Sequence, residues 1–266
     1  MKARAAVQVA DRRIEVQELD VPERLPAGGA LLRVEGSGMC GSDVEQYHGV
    51  SRRLGMYEYP VIPGHEIVGR IAAIDDEGTR RWGLREGDRV AVHGTAPCGT
   101  CVVCRCGSRC PTQFYYGFRS TSVGSGLWGG YAEYLELAPH TQLYPVPAEL
   151  PIADAVLFNP LAAGFDWAVR AAGTEVGDSV VVLGPGQRGL ACVVGAREAG
   201  ASRIVVTGLA RDRHKLDLAR ELGATETLVA DEDDVVSAVR DLTGGRGVDR
   251  VIETTPMADR KSTRLN

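Results

Sequence analysis

The sequence of 266 residues has no uninterrupted apolar run of about eighteen residues, the length typical of a membrane-spanning helix. Its N-terminus carries charges every few residues and lacks the apolar core of a signal peptide. The chain also lacks an excess of basic residues: 30 Lys and Arg stand against 35 Asp and Glu, giving a net charge of −5. Without a basic stripe, nucleic acid is excluded as a partner. We expect a cytoplasmic protein with no membrane partner.

Internal repeats and low-complexity linkers are missing as well, and the two halves of the sequence differ in hydrophobic pattern. Residues 1–150 contain short alternating runs such as ALLRVEG and HEIVGRIAAID, which predict a β-rich domain. Residues 151–258 alternate apolar strands such as SVVVLG and RIVVTG with amphipathic segments such as RHKLDLARELGA. This alternation predicts an α/β domain with a doubly wound parallel sheet.

Five of the seven cysteines lie within thirteen residues, in CGTCVVCRCGSRC. The spacing of Cys98, Cys101 and Cys104 brings three thiolates to one point, and Cys110 can complete a tetrahedron around a structural zinc. Cys106 remains open as a replacement for Cys110. An iron–sulfur cluster is disfavoured, because the ferredoxin pattern needs a Cys-Pro pair closer to the third cysteine.

The second half contains GPGQRG between an apolar strand and an amphipathic helix. Gly184, Gly186 and Gly189 form a glycine fingerprint that predicts a dinucleotide site at a helix N-terminus. The acid that usually binds the ribose at the end of the next strand is absent, because Thr207 and Gly208 stand there, and Arg211 follows. The sequence therefore favours NADP over NAD, with NAD left open.

Two further motifs in the first half, GMCGSD and PGHEIVG, offer metal ligands. Cys40 follows a predicted strand, and His65 and Glu66 stand among glycines. A thiolate and an imidazole form two corners of a zinc site that keeps a position for an alcohol oxygen. The alternative is a buried cysteine and a histidine bonded within a turn.

Six motifs, taken in order, resemble those of the zinc-dependent alcohol and polyol dehydrogenases of the medium-chain dehydrogenase/reductase superfamily. They are CGSD, PGHEIVG, EGDRV, CGTCVVC with CP, GGYAEY and GPGQRG. The resemblance runs to about residue 258 and implies a GroES-like catalytic domain with a catalytic and a structural zinc, followed by a Rossmann domain for NAD(P). It implies zinc ligation by Cys40 and His65, with Glu66 beside the metal or exchanging onto it. Ser42 would begin the relay that takes the alcohol proton, and the full-length protein is expected to be a homo-oligomer.

The sequence departs from this family at three places. Asn159 stands where the third protein ligand of the catalytic zinc is usually Cys, Asp or Glu, so either Glu66 coordinates the metal directly, Asn159 binds it through water, or the affinity for zinc is reduced. Glu45 replaces the relay histidine, and His48 is a second candidate for that role. The fourth structural cysteine comes two residues early, which leaves Cys106 and Cys110 as alternatives.

The last eight residues, DRKSTRLN at 259–266, break the alternation of strands and helices. They resemble a translated sequencing adapter, so we expect a non-native tail on a C-terminally truncated chain with an incomplete Rossmann domain. Two other functions remain open: a zinc-free quinone or enoyl reductase, and a non-catalytic nucleotide-binding protein.

Overall fold

The structure, a computed structural model, describes residues 1–106 and 110–255. The predicted tail at 259–266 therefore lies outside the described residues. The chain divides into two compact units, Met1–Phe158 and Asn159–Asn266.

The first unit is built mainly from β-strands, as the alternating runs predict. Its strands are β1 Lys2–Ala10, β2 Arg13–Asp20, β3 Ala30–Gly38, β4 Glu66–Ile74, β5 Arg89–Val92, β6 Thr95–Ala96, β7 Phe114–Tyr115, β8 Tyr134–Leu137 and β9 Leu143–Pro145. Its helices are short: α1 Gly41–Tyr47, α2 Val50–Arg53, α3 Asp76–Trp82, α4 Val102–Arg105 and α5 Ile152–Ala155.

Five antiparallel strands form the main sheet of this unit, in the order β8-β3-β4-β5-β9. Alternate side chains of these strands point into one core, whose buried members include Leu32, Ile67, Val90 and Leu135. Tyr116 is fully buried in the same core. Strands β1 and β2 form a separate hairpin, and β6 pairs with β7. The β-rich fold of this half is confirmed.

The second unit alternates strands and helices. Its strands are β10 Ser179–Leu183, β11 Arg203–Gly208, β12 Glu226–Val229 and β13 Arg250–Glu253. Its helical elements are α6 Phe158–Phe165, which begins at the unit boundary, a π-helical turn Asp166–Ala171, α7 Gln187–Glu198, a 3-10 turn Ala210–Asp212, α8 Arg213–Leu222 and α9 Val235–Leu242.

The four strands are parallel and lie in the order β12-β11-β10-β13, which confirms the predicted doubly wound sheet. The chain runs outward from β10 to β12 and then returns to the other side of β10 as β13. This reversal opens a crevice at the carboxyl end of β10, where sheets of this kind bind ligands.

Among the described residues, one helical segment, Ile152–Ala171, is long and apolar enough by length and composition to cross a membrane. Within the structure, 22% of this segment is buried. A single segment of this kind is weak evidence for a membrane span, because core helices of other proteins pass the same test of length and composition.

An ion pair in which Arg89 is buried ties the main sheet to the loop before α5. The Arg89 side chain is 5% exposed, donates to Oε2 of Glu35 at 2.6 Å, and also donates to the backbone carbonyls of Pro147 and Leu150. Partial burial opposes ionisation of Glu35, but hydrogen bonds from Arg70 and Arg89 outweigh it and lower the pKa of this carboxyl below its ordinary value of 4.5.

Replacement of Glu35 by glutamine (Glu35→Gln) is expected to lower the free energy of unfolding by about 2 kcal/mol at neutral pH, because Arg89 keeps its burial and loses its counter-charge. The folded pKa of Glu35 is depressed, so its stabilisation is present above the ordinary pKa of 4.5 and is lost as the pH falls through the lower folded pKa. Urea unfolding of the unmodified protein and of Glu35→Gln should therefore show a difference in the free energy of unfolding at neutral pH, and this difference should disappear in acid.

Glu133→Gln is the matched control. Glu133 pairs with Arg4 at the surface, where the two side chains are 42% and 70% exposed, so its removal should lower the free energy of unfolding clearly less than Glu35→Gln does. Two results would contradict this account of the ion pair. One is an equal loss of unfolding free energy for the two substitutions, and the other is a difference between the unmodified protein and Glu35→Gln that grows in acid.

Candidate active site

Two segments of the first unit bring a thiol, an imidazole and a carboxylate together. Cys40 is the N-cap of α1, while His65 immediately precedes β4, which begins at Glu66. Strands β3 and β4 pair in a register that sets Gly38 opposite Glu66. The ligand atoms of Cys40, His65 and Glu66 all lie within 4.8 Å of one another. We call these three residues the Cys40 group.

A glycine makes room for the carboxylate of this group. A Cβ atom at Gly38 would lie 2.4 Å from Oε2 of Glu66, closer than any real contact. Glu66 is 1% exposed and Cys40 is 6% exposed, so the Cys40 group faces little solvent. The three donor types are those that bind zinc in proteins.

The surroundings of the Cys40 group favour positive charge. Asp43 accepts a hydrogen bond from the backbone N–H of Cys40 at 2.8 Å, and its other oxygen faces Nδ1 of His65 at 3.4 Å. Burial opposes protonation of His65, but interactions with Asp43 and Cys40 outweigh it and raise the pKa of His65 to about 10. A carboxylate behind a ligating histidine also orients the ring. The site therefore fits a divalent cation such as zinc.

The predicted relay residues lie along α1. The hydroxyl of Ser42 is 3.4 Å from Nε2 of His65, so the structure brings Ser42 to the Cys40 group. Glu45 is half-buried on the same helix. His48 is exposed at the C-cap of α1, where its Nδ1 accepts a hydrogen bond from Arg12 at 3.0 Å. The relay roles of Glu45 and His48 stay predictions.

Four cysteine sulfurs form a second cluster. Those of Cys98, Cys101, Cys104 and Cys110 all lie within 4.8 Å of one another, with separations of 3.8 Å for Cys98 and Cys104, 3.5 Å for Cys101 and Cys104, and 4.0 Å for Cys101 and Cys110. A tetrahedral zinc with Zn–S bonds of about 2.3 Å requires sulfurs about 3.8 Å apart. The cluster fits a structural zinc.

Backbone amides donate hydrogen bonds to two sulfurs of this cluster. The N–H groups of Cys101 and Cys104 donate to the sulfurs of Cys98 and Cys101, each at 3.4 Å. Hydrogen bonds from Thr112 and from neighbouring backbone amides lower the pKa of Cys98 to about 5. Cys106 is exposed and belongs to neither cluster found among the described residues.

The glycine loop after β10 has a cradle for phosphate. Gly184 has a φ of +98°, in the left-handed region, and a Cβ atom at Gly189 would lie 1.9 Å from the carbonyl oxygen of Gly184. A Cβ atom at Gly186 would meet nothing within 4 Å. Because Gly186 is the N-cap of α7, this open face lies at a helix N-terminus, where a pyrophosphate can approach backbone amides.

The end of β11 borders this loop. Thr207 pairs with Leu183 in the parallel register and is buried. A Cβ atom at Gly208 would lie 2.9 Å from Cγ of Pro185, so glycine lets the two loops approach. No acidic side chain stands at Thr207 or Gly208.

Charged residues lie on the 3-10 turn after β11 and in the first turn of α8. The side chain of Arg211 is 72% exposed, and its Nε is 4.0 Å from Asp212. Asp212 is 16% exposed and pairs with Lys215 at 2.6 Å. The guanidinium of Arg211 therefore extends into solvent beside the end of β11.

Asn159 lies in α6, and its amide oxygen accepts a hydrogen bond from Nη2 of Arg188 at 3.1 Å. Its assignment as a ligand of the catalytic zinc stays a prediction.

Two residues with clear roles in these sites were not among the predicted ones. Asp43 contacts both Cys40 and His65, and it is the last residue of the CGSD motif, so the sequence did offer it as a candidate. Thr254 donates to the carbonyls of Leu183 and Gly184 at 2.8 and 3.0 Å and so fixes the glycine loop. Thr254 follows β13, about seventy residues along the chain, and no local pattern marks it.

Two protein families match the chain. The family described as alcohol dehydrogenase GroES-like domain matches residues 26–148, and the family described as zinc-binding dehydrogenase matches residues 189–263.

Individual proteins match over nearly the whole sequence. A Mycobacterium tuberculosis protein named probable alcohol dehydrogenase is 44% identical over 96% of this chain and 70% of its own length. Erythritol/L-threitol dehydrogenase of Mycolicibacterium smegmatis is 37% identical over 90% of this chain and 66% of its own length. The crystal structure of a protein assigned as a zinc-binding dehydrogenase of Sinorhizobium meliloti 1021, bound to NADP, has a TM-score of 0.80 at 29% identity, over 97% of this chain and 71% of its own.

Proposed function

Because this chain belongs to the zinc-dependent alcohol and polyol dehydrogenases of the medium-chain dehydrogenase/reductase superfamily, we propose that it oxidises an alcohol or polyol to an aldehyde or ketone. Its cofactors are zinc and NAD(P). The observation that carries the proposal is the convergence of Cys40, His65 and Glu66, with the hydroxyl of Ser42 3.4 Å from His65.

Each metal has a proposed set of ligands. Cys40, His65 and Glu66 would hold the catalytic zinc, and Cys98, Cys101, Cys104 and Cys110 the structural zinc. When bound, the catalytic metal would supply Lewis acidity toward an alcohol hydroxyl, and NAD(P) would supply a hydride acceptor.

The residues of the chain itself move and hold the proton. The hydroxyl of Ser42 accepts the proton of the substrate alcohol and releases its own, and Glu45, on the same helix, is the next acceptor. Asp43 keeps the ring of His65 oriented and compensates positive charge behind it. Burial of the Cys40 group limits the water that competes with substrate.

The dinucleotide is proposed to bind along the carboxyl edge of the parallel sheet. Gly184, Gly186 and Gly189 would receive the pyrophosphate, while Thr207 and Gly208 would border the adenosine ribose. We assign residues 1–150 to the catalytic domain and residues 151–258 to the nucleotide-binding domain.

The relatives support a small hydroxylated substrate. One is named for erythritol and L-threitol, which are four-carbon polyols, and another is named as an alcohol dehydrogenase. We propose a short alcohol or polyol on this basis.

Cellular location and assembly are also proposals. All seven cysteines lie within the described residues and none forms a disulfide, which supports the reducing cytoplasm. A homo-oligomer is proposed as well.

A zinc-free quinone or enoyl reductase is the weaker alternative. Such an enzyme would have no use for two separate sets of metal-ligating side chains, each with its donor atoms within 4.8 Å of one another.

Coenzyme reduction by a panel of short alcohols and polyols tests the function. We expect NADP to give a higher kcat/KM than NAD, and Arg211→Ala to narrow that preference about tenfold, because the exposed guanidinium beside the end of β11 would no longer contact a 2′-phosphate. Reduction of neither coenzyme by any alcohol would refute the function. A higher kcat/KM with NAD in the unmodified protein would refute only the coenzyme preference.

A further inference from the structure

A buried amide from β1 holds the C-terminal end of α1. Gln8 is fully buried, and its Nε2 donates to the backbone carbonyl oxygens of Gln46 and Tyr47 at 3.1 and 3.2 Å. The same nitrogen lies 3.2 Å from the carbonyl oxygen of Ala10 and 3.2 Å from the hydroxyl oxygen of Tyr59. Because all four neighbours are oxygens that can accept a hydrogen bond, the amide presents its donor group to the end of the helix.

The stability of the fold does not account for an amide at this position. Oε1 of Gln8 is buried and has no hydrogen-bond partner among the described residues, and a buried acceptor without a donor lowers stability. The two helix carbonyls also have other donors. Gln46 accepts from the hydroxyl of Tyr57 at 3.0 Å, and Tyr47 accepts from the backbone N–H of Arg12 at 2.7 Å. An apolar side chain of the same size would therefore leave neither carbonyl without a donor.

The other end of α1 carries groups of the proposed active site. Cys40 is the N-cap of this helix, and Ser42, in its first turn, has its hydroxyl 3.4 Å from Nε2 of His65. A helix of seven residues is about 10 Å long, and its hydrogen-bonded backbone moves as one piece. A tilt at the C-terminal end therefore changes where the hydroxyl of Ser42 lies relative to His65.

We propose that Gln8 is a positioning residue for the proton relay. From β1 it fixes the C-terminal end of α1, and through the helix it fixes the hydroxyl of Ser42 beside His65. Gln8 acts through the helix and does not touch substrate, coenzyme or metal. This inference rests on the proposed function, because it requires Ser42 to accept the proton of the alcohol.

Steady-state kinetics on the zinc-loaded protein test the proposal with Gln8→Met. Methionine keeps the size of the side chain and removes the donor. We expect kcat to fall about tenfold, because displacements of about 1 Å can cost up to about a hundredfold, while the KM for the alcohol and the Kd for the coenzyme change less than about twofold. Zinc content should stay the same, and Tm should not fall.

Hydrogen exchange followed by mass spectrometry gives a readout that needs no turnover. The backbone amides of α1 should exchange faster in Gln8→Met, because one hold on the end of the helix is gone. Exchange in the rest of the first unit should be unchanged.

Gln17→Met is the matched control. Gln17 lies in β2 of the same hairpin, and its Nε2 donates to Oε2 of Glu15, on the same strand, at 3.2 Å. Its replacement should leave both kcat and the exchange of α1 unchanged.

Three results would overturn the role of Gln8 while leaving the proposed function intact. They are an unchanged kcat in Gln8→Met, an equal loss of kcat in Gln17→Met, and a loss of kcat that comes with a lower Tm and faster exchange throughout the first unit. Failure of the unmodified protein to reduce either coenzyme would overturn the proposed function itself, and this inference with it.

Discussion

Replacement of Gly186 by valine (Gly186→Val) is expected to remove NAD(P) binding while leaving the fold intact. A Cβ atom at this position meets no protein atom within 4 Å, and the backbone has φ −70° and ψ 174°, which any residue adopts. The side chain would instead occupy the open face at the N-terminus of α7. Loss of two charge-assisted contacts to the pyrophosphate, at about 1.5 to 3 kcal/mol each, weakens binding by at least about a hundredfold.

Gly189→Ala separates steric exclusion of the coenzyme from damage to the fold. Its Cβ atom would lie 1.9 Å from the carbonyl oxygen of Gly184 and 2.9 Å from the hydroxyl of Thr254, so the loop itself must shift. Thermal unfolding of the coenzyme-free proteins should show a lowered Tm for Gly189→Ala and an unchanged Tm for Gly186→Val. Coenzyme affinity retained in Gly186→Val would contradict the placement of the pyrophosphate.

The features that could be predicted from sequence are those in which neighbours along the chain are also neighbours in space. The glycine fingerprint spans six residues between a strand and a helix, and its steric demands follow from local backbone geometry. The four clustered cysteines span thirteen residues, and their spacing alone indicates a metal site. The spacing of apolar residues, alternating in the first half and helical between strands in the second, likewise predicted the β-rich half and the parallel sheet.

The remaining features depend on tertiary contacts between distant segments. The register of β3 on β4 sets Gly38 opposite Glu66, and no pattern in either strand specifies that register. Thr254 follows β13, the last strand of the sheet, and its hydroxyl bonds to the backbone at the start of the glycine loop after β10. The choice between Cys106 and Cys110 depended on which thiol turns inward, and in the structure Cys110 is buried and Cys106 exposed.

The contact between Asn159 and Arg188 is a further feature that no local sequence pattern predicts. Asn159 occupies a place where the resemblance implies a metal ligand, and its amide oxygen contacts a guanidinium 29 residues along the chain.

Replacement of Cys40 by serine (Cys40→Ser) should have the largest effect on catalysis. A neutral hydroxyl replaces a thiolate in a three-donor group, so the catalytic zinc loses an anionic ligand. We expect one of two zinc ions to be lost, and turnover to fall by at least about a thousandfold, because several kcal/mol of Lewis-acid stabilisation disappear with the metal. The four-cysteine cluster does not include Cys40, so the second zinc should remain.

Cys106→Ser is the matched control for this substitution. Cys106 is exposed and lies outside both clusters among the described residues, so its replacement should leave two zinc ions and unchanged turnover. Loss of a zinc ion from Cys106→Ser would show that Cys106 takes part in the structural site.

Zinc content and alcohol-dependent coenzyme reduction, measured in the same preparations of the unmodified protein and Cys40→Ser, test the central claim most directly. The account predicts two zinc ions per chain and hydride transfer to NAD(P) in the unmodified protein, against one zinc ion and no detectable transfer in Cys40→Ser. Undiminished coenzyme reduction by Cys40→Ser, or reduction by unmodified protein from which a chelator has removed all zinc, would contradict a zinc-dependent dehydrogenase centred on Cys40, His65 and Glu66.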